Sequence, residues 1–105
     1  MTLEEKTALD ELKKALRQRY GVTSVVVYGS KARGDDAPDS DIDVMIVLDE
    51  YTPEIEAAVD ELVYDINLAH NCLISVVIFG RQELEEGPLG ESSLYKRILA
   101  EGVRV

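Results

Sequence analysis

The chain has little cysteine, no long apolar run and few basic residues, and each deficit excludes a class of protein. Cys72 is the single cysteine, so an internal disulfide is excluded and a reducing, cytoplasmic setting is expected. No apolar run approaches the roughly 18 residues needed to cross a bilayer. The stretch Met1–Lys6 lacks the basic and then apolar order of a signal peptide. These deficits predict a cytoplasmic protein without a membrane segment.

The charge balance argues against direct nucleic-acid binding. The 105 residues include 21 acidic and 11 basic side chains, which gives a net charge of −10. An acidic surface repels phosphate backbones. It suits a metal-dependent enzyme or a protein with a basic partner, although plain solubility explains it equally well. The length predicts one small domain over residues 1–105, with no repeat or linker.

The first helix is predicted from its cap and its apolar spacing. Thr2 and Glu5 have the spacing of a capping box, so a helix should begin there. Three leucines at helical spacing form one apolar face: Leu9, Leu12 and Leu16. Tyr20 and Gly21 should end the helix, with Gly21 in the left-handed conformation.

Three stretches rich in β-branched and apolar residues predict buried strands. They are Val22–Tyr28, Asp41–Leu48 and Leu73–Phe79. A short helix is expected near Ser30–Gly34. Thr52 and Pro53 should cap and begin the helix before the third strand, and its inward face is predicted as Ile55, Val59, Leu62, Ile66 and Ala69.

After the break at Gly87 and Pro88, the sequence predicts a last helix and a short edge strand. Ser92 or Ser93 should cap that helix and Gly102 should end it. Its inward residues are predicted as Leu94, Ile98 and Leu99, and Val103–Val105 as the edge strand. The expected fold class is therefore α/β (α+β), a small mixed sheet with helices over one main face. The short connection between the first two strands predicts that part of the sheet is antiparallel.

The segment directly after the first strand has the features of a phosphate-binding turn. Gly29 allows close approach of a ligand and a positive φ. The Ser30 hydroxyl and nearby backbone N–H groups are donors for phosphate oxygens. Lys31 and Arg33 add positive charge to an otherwise acidic chain. A glycine–serine turn alone is a weak signal, since most such turns bind nothing.

Asp41 and Asp43 predict a divalent-metal site at the start of the second strand. Two aspartates two residues apart on a strand point to the same face. Their carboxylates repel each other unless a cation lies between them. Mg²⁺ prefers carboxylate oxygens together with substrate phosphates. The alternative is an acidic loop, Asp35–Asp39, that continues into a strand.

Together these motifs resemble the DNA polymerase β-type nucleotidyltransferase superfamily, and most closely its minimal, antitoxin-like (MNT) branch. The resemblance rests on Gly29-Ser30-Lys31-Ala32-Arg33-Gly34 followed by Ser40-Asp41-Ile42-Asp43. It implies the nucleotidyltransferase fold, with Gly29 and Ser30 holding the triphosphate of ATP or another nucleoside triphosphate. It also implies that Asp41 and Asp43 are catalytic and hold one or two Mg²⁺ ions. Lys31 and Arg33 lie within reach of the phosphates by sequence, although Arg33 could instead pair with a nearby aspartate.

One departure from the family pattern affects the expected chemistry. The family usually carries a third carboxylate on the next core strand. In this chain Ser75 is the residue that matches that position. A neutral hydroxyl is a poor Mg²⁺ ligand and a poor base. The resemblance implies transfer of AMP from ATP to a hydroxyl of a HEPN-domain partner protein. The alternative is a catalytically weak nucleotide-binding module that acts by binding its partner; homo-oligomerisation stays open.

Overall fold

The computed structural model describes residues 1–34 and 40–105; the acidic loop considered above, Asp35–Asp39, lies outside them. The helices are α1 (Leu3–Arg19), α2 (Gly29–Arg33), α3 (Pro53–His70), α4 (Arg81–Glu86) and α5 (Ser93–Glu101). A 3₁₀ turn covers Pro88–Glu91. The strands are β1 (Val22–Tyr28), β2 (Ile42–Leu48), β3 (Ile74–Gly80) and β4 (Val103–Arg104). No helix within the described ranges is both long and apolar enough to cross a bilayer.

The four strands form one mixed sheet in the order β3-β2-β1-β4. β1 pairs antiparallel with β2 and with β4, whereas β2 and β3 are parallel. The parallel pair is joined by the 18-residue helix α3, since a parallel connection needs a crossover of that size. The short path from β1 to β2 gives an antiparallel pair, so the predicted mixed sheet is confirmed.

Helices lie on both faces of the sheet. On the first face α1 and α3 cover a core that includes Leu12, Leu16, Ile46 and Val59. On the second face Ile98 of α5 closes a smaller cluster, whose other buried members are Val26, Met45, Val47 and Phe79. The one main helical face expected from the sequence is therefore joined by a second, smaller one. Because side chains alternate along a strand, Asp43 shares the α5 face with Met45 and Val47.

The predicted caps of α1, α3 and α5 are confirmed. The Glu5 N–H donates to the Thr2 hydroxyl, and the Thr2 N–H donates to Glu5 Oε1, which completes the capping box. The Thr52 and Ser92 hydroxyls accept the corresponding N–H groups of their helices. Each bond satisfies an N–H group that the helix itself leaves unpaired.

Several local predictions were wrong. Gly21 is not left-handed, because α1 ends at Arg19 and the extended Tyr20 leads directly into β1. Leu94 and Leu99 are 40% and 48% exposed, since the small second face has room for Ile98 alone of the three. On α3, Ala69 is exposed and Val63 is buried instead. The list of elements also includes α4, which the sequence pattern did not predict.

His70, the last residue of α3, joins that helix to α1 through two carboxylates. Its Nδ1 lies 2.6 Å from Glu4 Oε1 and its Nε2 lies 2.5 Å from Glu11 Oε2. Both contacts favour the doubly protonated imidazolium. The hydrogen bonds to Glu11 and then to Glu4 raise the pKa of His70 above its ordinary 6.5, against a smaller opposite effect of burial.

This arrangement predicts a loss of stability at alkaline pH. A histidine whose pKa is raised by folding contributes stability that is fully present below its unfolded pKa and lost as the pH rises through the folded pKa. We therefore expect the unfolding midpoint temperature to fall as the pH is raised above about 6.5. A His70→Gln variant should lose that slope. Since the chain has one histidine, its imidazole NMR titration reports the pKa directly. A His70 pKa at or below 6.5 would contradict the pairing of His70 with Glu4 and Glu11.

Candidate active site

Gly29 lies at the junction of β1 and α2, where only glycine fits. Its φ is +72°, in the left-handed region that residues with a Cβ rarely adopt. A Cβ placed there would lie 2.5 Å from Asp43 Oδ2. The backbone of the predicted phosphate-binding turn therefore lies directly against the predicted metal-binding carboxylate.

Ser30 lies in the first turn of α2, beside Gly29, and is partly buried. The helix is only five residues long and ends at Gly34, whose φ is +78° and whose N–H donates to the Ser30 carbonyl. The structure thus brings Gly29 and Ser30 to the same end of the sheet as Asp43.

The two aspartates lie at the entry to β2. Asp41 is exposed and precedes the strand by one residue, while Asp43 is partly buried and pairs across the sheet with Tyr28. Burial raises the pKa of Asp43, and the Asp41 carboxylate raises it further, whereas Arg33 partly opposes the rise. The carboxylates are close enough to repel. Their oxygen donors fit Mg²⁺, which would replace that repulsion with attraction.

Ser75 lies beside Asp43, as the position of a third carboxylate would require. The parallel register of β2 and β3 pairs Asp43 directly with Ser75, and Ser75 is exposed. Over residues 1–34 and 40–105, no cluster of three or more histidine, cysteine or acidic side chains is placed to hold a metal ion. In the described part of the chain the carboxylate pair therefore has no third acidic ligand at Ser75.

Arg33 pairs with a glutamate that sequence reasoning missed. Its Nη1 lies 3.3 Å from Oε2 of Glu101, the last residue of α5. The Gly29 N–H donates to Oε1 of the same carboxylate at 3.2 Å. Glu101 is 72 residues from Gly29, so no local motif contains both. The available signal was a glutamate in the last turn of a helix, where the helix dipole disfavours negative charge.

The structure places the Lys31 side chain against α1. Its Nζ lies 3.1 Å from Glu5 Oε2, and the Lys31 side chain is only 2% exposed. Burial alone would raise the pKa of Glu5, but the hydrogen bond from Thr2 and the Lys31 ammonium outweigh it and lower the pKa. The ammonium therefore braces α2 against α1, and a role for Lys31 in nucleotide binding stays a prediction.

The fold and these motifs define a nucleotidyltransferase domain. Residues 9–105 match the family described as "Nucleotidyltransferase domain". The chain therefore belongs to that family, and the predicted superfamily is confirmed.

Curated relatives share part of this chain. The "Protein adenylyltransferase MntA" of Thermococcus cleftensis is 43% identical over 51 residues, which are 48% of this chain and 52% of that protein. A candidate protein adenylyltransferase of Methanocaldococcus jannaschii is 46% identical over 50 residues, 47% of this chain and 50% of that protein. The match thus spans about half the length of these relatives.

Solved structures share the whole fold. One, presented as a candidate minimal nucleotidyltransferase, covers 100% of this chain and 97% of its own, with a TM-score of 0.64 and 25% identity. Another, a toxin–antitoxin structure with AMP-PNP, covers 98% of this chain and 72% of its own, with a TM-score of 0.61 and 18% identity. These likenesses confirm the predicted nucleotidyltransferase fold and its minimal type.

Proposed function

We propose that this domain binds ATP with Mg²⁺ and transfers AMP to a hydroxyl group of a partner protein. The observation that carries the proposal is the contact between the Gly29 turn and Asp43, with Asp41 beside it. A phosphate-binding turn and a pair of metal-binding carboxylates at one end of a sheet form the donor half of a nucleotidyltransferase. The adenylyltransferase names of the curated relatives support AMP as the transferred group.

The chain's own residues account for binding of the donor. Gly29 has no side chain to block the approach of the triphosphate, and the Ser30 hydroxyl and Arg33 guanidinium supply a donor and a positive charge. Asp41 and Asp43 would hold Mg²⁺, which when bound neutralises charge on the phosphates and the leaving pyrophosphate. The acceptor hydroxyl oxygen attacks the α-phosphorus, the bond to pyrophosphate breaks, and the hydroxyl proton passes to solvent water. Positioning and charge neutralisation supply most of the catalysis in such transfers.

A toxin partner, of the HEPN type implied by the resemblance, is the acceptor that we propose. Structures of the same fold have been solved as toxin–antitoxin complexes, one with an ATP analogue. The domain is built on one small four-stranded sheet, so the acceptor must bring much of its own binding surface. Labelling the acceptor with α-³²P-ATP and Mg²⁺ tests the proposal. An Asp41→Asn/Asp43→Asn protein should give no label, while Asp60→Asn, which removes an exposed charge on α3, should label normally. Equal labelling by all proteins, or none by the wild type, would refute transfer.

A second function is a nucleotide-binding module without catalysis, and the neutral Ser75 beside Asp43 favours it. Such a module would bind ATP and its partner but leave the partner unmodified. Stabilisation by Mg²⁺ and ATP without any label transfer would select this function over the first.

A Ser75→Asp variant tests whether Ser75 lies at the position of a missing catalytic acid. The new carboxylate would lie beside Asp43 in the parallel register, where it can accept a proton from the attacking hydroxyl. We expect transfer to rise about 10-fold or more, because a well-placed general base contributes 10²–10⁴-fold. Ser75→Asn, of the same size without the charge, is the control and should leave the rate unchanged. If Ser75→Asp lowers the rate, Ser75 is not the position of a missing acid.

A further inference from the structure

The Glu101 carboxylate contacts two groups of the proposed triphosphate site that can bind an anion, the Gly29 N–H and the Arg33 guanidinium. One oxygen accepts the Gly29 N–H at 3.2 Å, and the other lies 3.3 Å from Arg33 Nη1. The backbone N–H belongs to the first residue of α2 and the guanidinium to its last residue. A single carboxylate from α5 thus spans α2 from its first residue to its last.

The position of Glu101 is otherwise unfavourable for a negative charge. A carboxylate in the last turn of a helix opposes the helix dipole, and that turn of α5 contains no basic residue. Glu101 also lies near enough to Asp43 for the two negative charges to interact. The contacts with Gly29 and Arg33 offset these costs, so the turn attracts an anion strongly enough to hold a disfavoured one.

We propose that Glu101 is an internal substitute for a substrate phosphate, which fills the anion position of the turn until the triphosphate displaces it. The inference rests on the proposed function, because it assigns the Gly29–Arg33 turn to phosphate. The same N–H and the same guanidinium serve first the carboxylate and then a phosphate oxygen.

The structure provides a route for the exchange. The Glu101 side chain is 24% exposed, so its carboxylate can rotate towards solvent without moving α5. The helix itself is held by Ile98, which is fully buried, and by β4, which follows it and pairs with β1. A triphosphate carries several negative charges and more acceptor oxygens than one carboxylate. Exchange therefore favours polyphosphate over singly charged anions.

The inference predicts that Glu101 weakens binding of polyphosphate. Dissociation constants for tripolyphosphate and for ATP with Mg²⁺ should be measured by calorimetry on the wild type and on Glu101→Gln. We expect the glutamine variant to bind both about 3- to 10-fold more tightly, since a competing charge-assisted contact has been removed. Glu91→Gln is the matched control, because it removes one charge from an exposed glutamate paired with Lys96. That control should bind as the wild type does.

The outcomes separate this inference from the proposed function. Unchanged or weaker binding by Glu101→Gln, with the wild type still binding ATP, overturns the inference alone and identifies Glu101 as a brace for Arg33. Binding by Glu101→Gln but not by the wild type supports it most strongly. If neither protein binds ATP or tripolyphosphate, both the inference and the proposed function fail. In the wild type, tripolyphosphate should also shift the Gly29 amide and Glu101 carboxyl resonances together; a Glu101 signal that stays fixed while Gly29 shifts contradicts displacement.

Discussion

An Asp43→Asn protein should be slightly more stable than the wild type and should lose its affinity for ATP with Mg²⁺. Asp43 lies close to Asp41 and Glu101 and against the Gly29 backbone. Its pKa is raised by folding, so the charged form costs stability at neutral pH, and asparagine removes that cost. A gain of about 0.5 kcal/mol is expected for relief of a like-charge contact. The affinity for ATP with Mg²⁺ should fall about 100-fold or more. Loss of a residue that only hydrogen-bonds a metal ligand already costs about 10–100-fold in metal affinity, and Asp43 is proposed as a ligand itself.

Urea unfolding without nucleotide and calorimetric titration with ATP and Mg²⁺ measure the two effects separately. Asp60→Asn is the control for loss of one negative charge, since Asp60 is exposed on α3. A variant that loses stability and affinity together would indicate misfolding rather than loss of a metal ligand. Retained affinity would remove Asp43 from the binding site.

Gly29→Ala is expected to have the second large effect. Alanine would have to adopt a φ of +72° and would place its Cβ 2.5 Å from Asp43 Oδ2. The left-handed conformation costs about 1–2 kcal/mol for a residue with a Cβ, and the contact adds to it. Each kcal/mol lowers the unfolding midpoint by roughly 4–8 °C in a domain of this size. Nucleotide affinity should fall as well, because the methyl group would lie against the Asp43 carboxylate, where the proposed phosphate and metal sites meet.

Gly34→Ala supplies the matched control. Gly34 has a φ of +78°, but a Cβ there meets nothing within 4 Å. Gly34→Ala has the cost of the left-handed backbone but no close contact of the new Cβ. The difference in unfolding free energy between the two variants therefore measures the contact of the Gly29 position with Asp43. Equal destabilisation would show that the contact contributes nothing. In an Asp43→Ala background the extra cost of Gly29→Ala should largely disappear.

Local sequence patterns predicted most of the helices and strands, because helix caps and β-branched runs act on the residues next to them. The β-branched run Val22–Tyr28 forms the strand with the predicted bounds, and the Thr2 and Thr52 caps begin their helices as predicted. The mixed sheet followed from one short connection. The inward face of α5 was mispredicted, since of its three predicted inward residues Ile98 alone is buried in the second-face cluster, while Leu94 and Leu99 are exposed.

The site residues were predictable where they lie in one sequence motif. They were not predictable where their contacts come from helices far away in the sequence. Gly29 and Asp43 share one motif and lie in contact. Lys31 belongs to the same motif, yet its ion pair with Glu5 depends on how α1 packs against α2 and could not be predicted from the motif. Glu101 reaches the site because β4 pairs beside β1, and that pairing cannot be derived from spacing along the chain.

The central claim is that the Gly29 turn and the two aspartates bind a nucleoside triphosphate together with a divalent metal. Thermal unfolding of the wild type with ATP, with and without Mg²⁺, tests it most directly, with Asp41→Asn/Asp43→Asn as the comparison. ATP at 100 times its Kd should add about 2.7 kcal/mol, only when Mg²⁺ is present and only in the wild type. Stabilisation that is equal without Mg²⁺, or that persists in the double variant, would contradict the claim.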